Sequence, residues 1–110
     1  MKQVLIKIAT DFTKSPGGRY ISEGSYSGEQ FRKEILLKKY YEAKEQDCEL
    51  VVDLDGCYGF PTSFLEESFG GLVREVKSRD IKDFLVIISN DRPSLIEKIM
   101  KYIDEASVDE

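Results

Sequence analysis

The sequence predicts an α/β domain, a mostly mixed central sheet of about four strands with helices packed on it. Three observations carry that expectation. Short apolar runs at residues 50–54 and 83–89, the latter reading DFLVIIS, have the length of strands and the composition of strands covered on both faces. Other stretches place apolar residues at helical spacing: Leu65, Phe69, Leu72 and Val76, then Leu95, Ile96, Ile99, Met100 and Ile103. After the first loop the strand and helix signals alternate, the pattern of a sheet with crossover helices.

In chain order, residues 4–8 (VLIKI) read as the first strand. Residues 11–19 (DFTKSPGGR) are a polar loop in which Pro16, Gly17 and Gly18 make a turn. A short second strand is expected at residues 19–21, then a loop to residue 26. Ser27 with Gln30 fits a capping box, and Glu29 lies in the first turn, where the helix dipole favours it. Phe31 and Ile35 share one face of this helix, and either Leu36 with Tyr40 or Leu37 with Tyr41 extends it. The charged residues 41–46 fray into a loop before the apolar run Leu50, Val51, Val52, Leu54. Asp53, Asp55, Gly56 and Gly59 end that strand, and Pro61 fixes the chain before Thr62 and Ser63. Ser63 with Glu66, and later Ser94 with Glu97, fit two further capping boxes. The reading is one domain over residues 1–104, with the run at 83–89 as a second central strand beside 51–54, and a disordered acidic tail at 105–110.

Composition narrows the function. At 110 residues the chain can build one modest core, and 41% hydrophobic with 34% charged residues is ordinary for a soluble globular domain. The net charge of −5 argues against nucleic-acid binding, which needs a concentrated basic face. No apolar run approaches the length of a membrane span, and the N-terminal residues lack the layout of a signal peptide, so a cytoplasmic protein is expected. Cys48 and Cys57 bracket the buried strand and read as reduced thiols. With no histidine in the chain, imidazole metal sites and histidine acid–base catalysis are excluded, and neither metal nor cofactor is expected.

Three stretches invite chemistry. Asp53-Leu54-Asp55-Gly56 after a strand resembles, over four residues, the start of a haloacid-dehalogenase-type phosphatase, with Asp53 as nucleophile and Asp55 as acid–base around a magnesium ion. The later lysine and aspartate motifs of that class do not follow. This small magnesium-dependent phosphohydrolase is the alternative function; the plainer reading has both aspartates bonding loop amides. Gly17-Gly18-Arg19 could cradle an anion, as consecutive amides beside a guanidinium do, or simply turn the chain. Gly70-Gly71 inside a helix costs about 1 kcal/mol per glycine against alanine. Gly70 shares the face of Ser63, Glu67 and Arg74, opposite the apolar stripe, so either the helix kinks there or something approaches its backbone.

The segments SPGGRYISEGSYSGEQFR and VDLDGCYGFPTSFLEESFGGL together resemble a STAS-like domain family of unknown function, over residues 12–90. The markers are the Gly17-Gly18-Arg19 turn, Ser27-Gly28-Glu29 before a helix, and SFLEESFGGL. That family is similar in turn to STAS domains, including anti-anti-sigma factors, which carry an Asp-Ser-Ser triplet between a strand and a helix. Here Pro61-Thr62-Ser63 stands against the triplet; Ser63 falls at the regulatory serine, with Thr62 as second candidate, and Pro61 replaces the aspartate. The resemblance implies a STAS-like fold and a non-enzymatic signalling module that docks a protein partner, a histidine-kinase-like ATPase or anti-sigma-type kinase. The implied contact surface is the start of the helix after the central strand, switched by phosphorylation of Ser63. Gly17, Gly18, Arg19 and Ser27 are expected to join it. On the helix face, Gly70 is the close-approach point, flanked by Glu67 and Arg74.

Overall fold

The computed structural model describes residues 2–108. Its sheet has three strands, β1 (Gln3–Lys7), β2 (Glu49–Asp53) and β3 (Leu85–Ile88), all parallel and in the order β1-β2-β3. The expected fourth strand at residues 19–21 does not form, and the sheet is parallel rather than mixed. Side chains take the amides that a strand would need: Arg19 and Tyr20 donate to the Glu23 carboxylate at 2.9 and 3.0 Å, and Ile21 donates to Glu29 at 2.9 Å. The segment curls into a 3₁₀ turn, Ile21–Glu23, instead.

A single helical turn, α1 (Ile8–Asp11), follows β1 directly. Gly28–Phe31, a π-helical turn Arg32–Leu36 and Leu37–Gln46 run on as one helix, α2, over residues 28–46. Thr62–Leu65, a second π turn Glu66–Gly70 and Gly71–Val76 likewise form α3, over residues 62–76. The last helix, α4, is Ser94–Glu105. The π turn settles the register of α2. After Phe31 the next core residue is Leu36, five positions on, then Tyr40 and Ala43, so the pairing Leu36 with Tyr40 faces inward.

Two crossovers of one hand, each stepping one strand in the same direction, place α2 and α3 on the same face of the sheet. There they bury Val4, Ile6, Leu50, Val52, Leu85 and Ile87, and α4 adds Leu95, Ile99 and Ile103 to the same core. The runs at 50–54 and 83–89 do neighbour one another, as the sequence suggests. The expectation that both are central and covered on both faces fails, because β3 is an edge strand and all three helices lie on one side. Among the described residues, no helix is long and apolar enough to cross a membrane.

Where α2 and α3 cross near their N-termini, a β-carbon on Gly28 would stand 2.5 Å from the carbonyl oxygen of Phe64. Only glycine allows that approach, and it lets Phe31 stack on Phe64 at 5.8 Å with Phe12 and Phe60 at the margins. α4 runs one residue past the expected domain end. Ala106 is buried, and Arg79 donates to the carbonyls of Ile103 and Ala106 at 3.2 and 2.6 Å. Residues 105 and 106 are therefore part of the packed body, while residues 109 and 110 of the expected tail lie outside the described residues.

Candidate functional site

The candidate site is the corner at the C-terminal ends of β1 and β2, where ligands of parallel sheets usually bind. Three loops are laced together there by backbone bonds. Tyr58 donates to the Lys14 carbonyl at 2.8 Å, Gly17 to Tyr26 at 2.8 Å, Gly28 to Gly18 at 2.9 Å and Glu29 to Arg19 at 2.9 Å. The Cys57 thiol reaches the Thr13 carbonyl at 3.4 Å, and burial pushes its pKa up. The Gly17-Gly18-Arg19 turn thus serves as the cap of α2, its carbonyls taking the first free helix amides. The Gly17 and Arg19 amides are bonded within the loop, so the turn is not an open anion cradle.

Capping in the corner differs from the sequence pattern. Ser27 caps α2 as expected, accepting from the Gln30 amide at 3.0 Å, but Gln30 returns to the Tyr26 amide rather than to Ser27. At α3 the box is absent: Pro61 is the N-cap, Ser63 is the second helical residue, and Glu66 is engaged elsewhere. Ser94 likewise lies inside α4, whose N-cap is Pro93. The half-buried Ser63 and exposed Thr62 make no side-chain hydrogen bond among the described residues. Beside them opens a cleft of about 460 Å³ lined by Ser15, Pro16, Tyr58, Gly59, Phe60 and Pro61, with Tyr58 76% exposed.

The middle of α3 carries a shared ion network. Arg19 reaches down from its loop to Glu66 at 2.6 Å and Glu67 at 3.3 Å. Arg74 clamps Glu66 with two bonds of 2.7 and 3.1 Å. From α2, Arg32 pairs with Glu67, donates to its carbonyl at 3.2 Å and reaches Glu75 at 3.0 Å. Arg32 and Glu67 are both buried. Hydrogen bonds from Arg74, then from Arg19, hold the Glu66 carboxyl below its usual range, and Glu66 raises the pKa of both guanidiniums.

This network explains the glycine pair. A β-carbon on Gly70 would meet Glu66 Oε2 at 2.5 Å and Arg74 Nη1 at 3.2 Å; one on Gly71 would meet Arg32 Nη1 at 2.6 Å. The close approach read from the sequence is real, but the chain's own side chains make it, and the helix widens into a π turn there as well. Gly70 and Glu67 are buried beneath the network, while Arg74 is exposed.

The aspartates of the alternative reading are occupied with loop structure. Asp53 accepts from the Asp55 amide at 2.9 Å and lies 3.6 Å from Lys7. Asp55 accepts from the Asp91 amide and the Asn90 side chain, both at 2.9 Å, and these bonds, with that of the Asp91 amide the largest, lower its pKa. No group of three or more carboxylates or thiols that could hold a metal ion gathers among the described residues.

The structure therefore brings Arg19 onto Glu66 and Glu67 of α3, beside Gly70 and Arg74, while Gly17, Gly18 and Ser27 lie in the loop and cap that lead into α2, whose Gly28 packs on Phe64. Sequence reasoning passes over Arg32, Glu66 and Glu75 as parts of the network. Arg32 follows the core residue Phe31, and only the π turn rotates it towards α3.

A family model described as a STAS-like domain of unknown function matches residues 27–95, more than half of the chain. No curated protein and no solved structure matches it. The chain belongs to this family of STAS-like domains.

Proposed function

We propose that this STAS-like domain is a non-enzymatic signalling module. It docks a protein partner, a histidine-kinase-like ATPase of the anti-sigma type, through the corner at the start of α3, and phosphorylation of Ser63 switches the docking. The observation that carries the reading is the state of Ser63. Where the charged side chains are taken up by ion pairs, its hydroxyl makes no hydrogen bond among the described residues, in the first turn of a fifteen-residue helix. A phosphate there gains from the unpaired helix amides and the dipole. It also stands one turn from Glu66 and Glu67, adding negative charge to that face and competing with them for Arg19. The exposed Tyr58 and the cleft beside it supply apolar contact, with Arg74 at the polar rim. Gly17, Gly18 and Ser27 form the loop and cap of α2 from which Arg19 reaches α3, and Glu67 and Gly70 hold Arg19 and Arg74 in place from below.

The test is capture of an ATPase from cells that make the protein, with wild type, Ser63→Ala and Ser63→Glu as bait, and phosphosite mapping of the recovered chain. Wild type and Ser63→Ala should retain the same ATPase, Ser63→Glu should lose it by at least about tenfold, near 1.4 kcal/mol, and phosphate should map to Ser63. Equal capture by all three folded baits, or phosphate only elsewhere, would overturn the reading.

A further inference from the structure

The ion pairing of the corner leaves two cations out. Lys14 and Arg92 are exposed and have no carboxylate partner among the described residues. Both stand at the cleft of Ser15, Pro16, Tyr58, Gly59, Phe60 and Pro61. The Lys14 carbonyl accepts from the Tyr58 amide at 2.8 Å, and the Arg92 guanidinium lies 3.5 Å from the Tyr58 carbonyl. Tyr58 is thereby tied to both residues through its backbone, while its side chain stands in solvent. The carboxylates next to them are already engaged with the chain's own amides. Asp53 accepts from Asp55 at 2.9 Å, Asp55 from Asp91 at 2.9 Å and Asp91 from Gly56 at 3.1 Å.

These features select the occupant. An exposed tyrosine on a fixed backbone is a favoured anchor of protein interfaces, because it buries a large area with few torsions to order. A cleft of about 460 Å³ has the size that encloses a small ligand, so it receives one large apolar side chain rather than a whole helix. The two unpaired charges beside it are both positive, and a basic segment would meet them as like charges. Single-stranded nucleic acid also stacks on aromatic rings beside cations, but the chain's net charge of −5 opposes it. We infer that this cleft seats a segment of the partner protein with one large apolar side chain between acidic residues. The apolar group packs on Tyr58 and Phe60, and the carboxylates pair with Lys14 and Arg92. The inference rests on the reading that this corner docks a protein, and it adds the chemistry of the docked segment. It also gives the switch a sign. The cleft ends at Pro61, two residues before Ser63, so a phosphate there opposes the same carboxylates.

The test uses the whole unphosphorylated chain with labelled amides and three short synthetic peptides. The first has one phenylalanine between glutamates, the second has it between lysines, and the third has alanine between glutamates. The amide resonances of Ser15, Tyr58, Gly59 and Phe60 should move with the first peptide, which should bind at least about fivefold more tightly than either of the others. Lys14→Glu with Arg92→Glu, both at exposed positions, should keep the circular dichroism of the wild type and reverse the preference between the first and second peptides. Tyr58→Ala should weaken the first peptide at least about fivefold. Any of four results overturns the inference: stationary amides at millimolar first peptide, equal affinity for the first peptide and either control, an unreversed preference in the folded double variant, or tighter binding of a single-stranded oligothymidylate, which would assign the cleft to nucleic acid. None of these measurements involves Ser63 or an ATPase, so this inference and the phosphorylation switch fail separately.

Discussion

Two polar clusters of the molecule are built on different plans. At the N-terminal ends of the strands, Tyr40 donates to Asp80 at 2.6 Å while Lys44 pairs with the other oxygen at 2.7 Å and lies over the Tyr40 ring. Asp80 is the hub of that cluster, and Tyr40, its ring stacked on Phe84, is 1% exposed. In the middle of α3, two glutamates are shared among three arginines, and one of those, Arg19, comes from a loop. In the first cluster Tyr40 and Lys44 both depend on the one carboxylate of Asp80. The second can release Arg19 and still keep Glu66 on Arg74 and Glu67 on Arg32. Redundancy of that kind suits a corner that must exchange partners, and its absence suits a clasp.

The sharpest way to break the comparison is to remove the buried member of the redundant cluster. Arg32→Ala leaves Glu67 buried with only Arg19 at 3.3 Å and Arg74 at 3.6 Å. Stranding a buried charge costs about 3 kcal/mol, and urea denaturation should show a loss of that size. A loss below about 1 kcal/mol would mean the sharing extends to the buried part of the network.

The clasp is tested at alkaline pH. Burial first, then the bond to Asp80, raise Tyr40 to about 12. Its folded pKa therefore lies above the unfolded value near 10, so the protonated phenol contributes stability fully below pH 10, and that contribution falls away as pH rises towards 12. Tyr40→Phe should cost about 1–2 kcal/mol at neutral pH. Stability of the wild type should fall towards that of the variant above pH 10, and curves that stay parallel there would refute the clasp.

The two clusters also differ in how far the sequence reveals them. β2, β3 and the inward stripe of α3 are legible because apolar periodicity acts within each element, and the core confirms Leu65, Phe69 and Leu72. The meeting of Arg19 with α3 follows from where the family markers concentrate, although no local signal in the chain carries it. What stays hidden depends on a single residue of phase or on competition for amides. A π turn rotates Arg32 inward without changing the composition of α2. Glu23 and Glu29 take the amides of residues 19–21 and undo a strand that the sequence suggests. The one-sided cover of the sheet is hidden too, since apolar runs in β2 and β3 read alike whether helices lie on one face or on both.

The smallest effect, and the finest probe of the comparison, is Arg19→Ala. The Arg19 side chain is 30% exposed and both of its glutamates keep another arginine, so global stability should fall by less than about 1 kcal/mol. The local effect should be larger than the global one. The Gly28 and Glu29 amides, bonded to the carbonyls of Gly18 and Arg19, should exchange with deuterium faster in the variant, while core amides of β2 remain as slow as in the wild type. Acid adds a second axis. Because the folded Glu66 pKa is depressed, its contribution is complete above the unfolded carboxylate value and is lost as pH falls through the lower folded one. Over that window wild-type exchange at Gly28 and Glu29 should rise to meet the variant's, while the variant changes less. If Arg19→Ala instead cost as much as Arg32→Ala, or left both amides unchanged, Arg19 would be an ordinary structural pair, and the contrast between an exchangeable corner and a fixed clasp would fail.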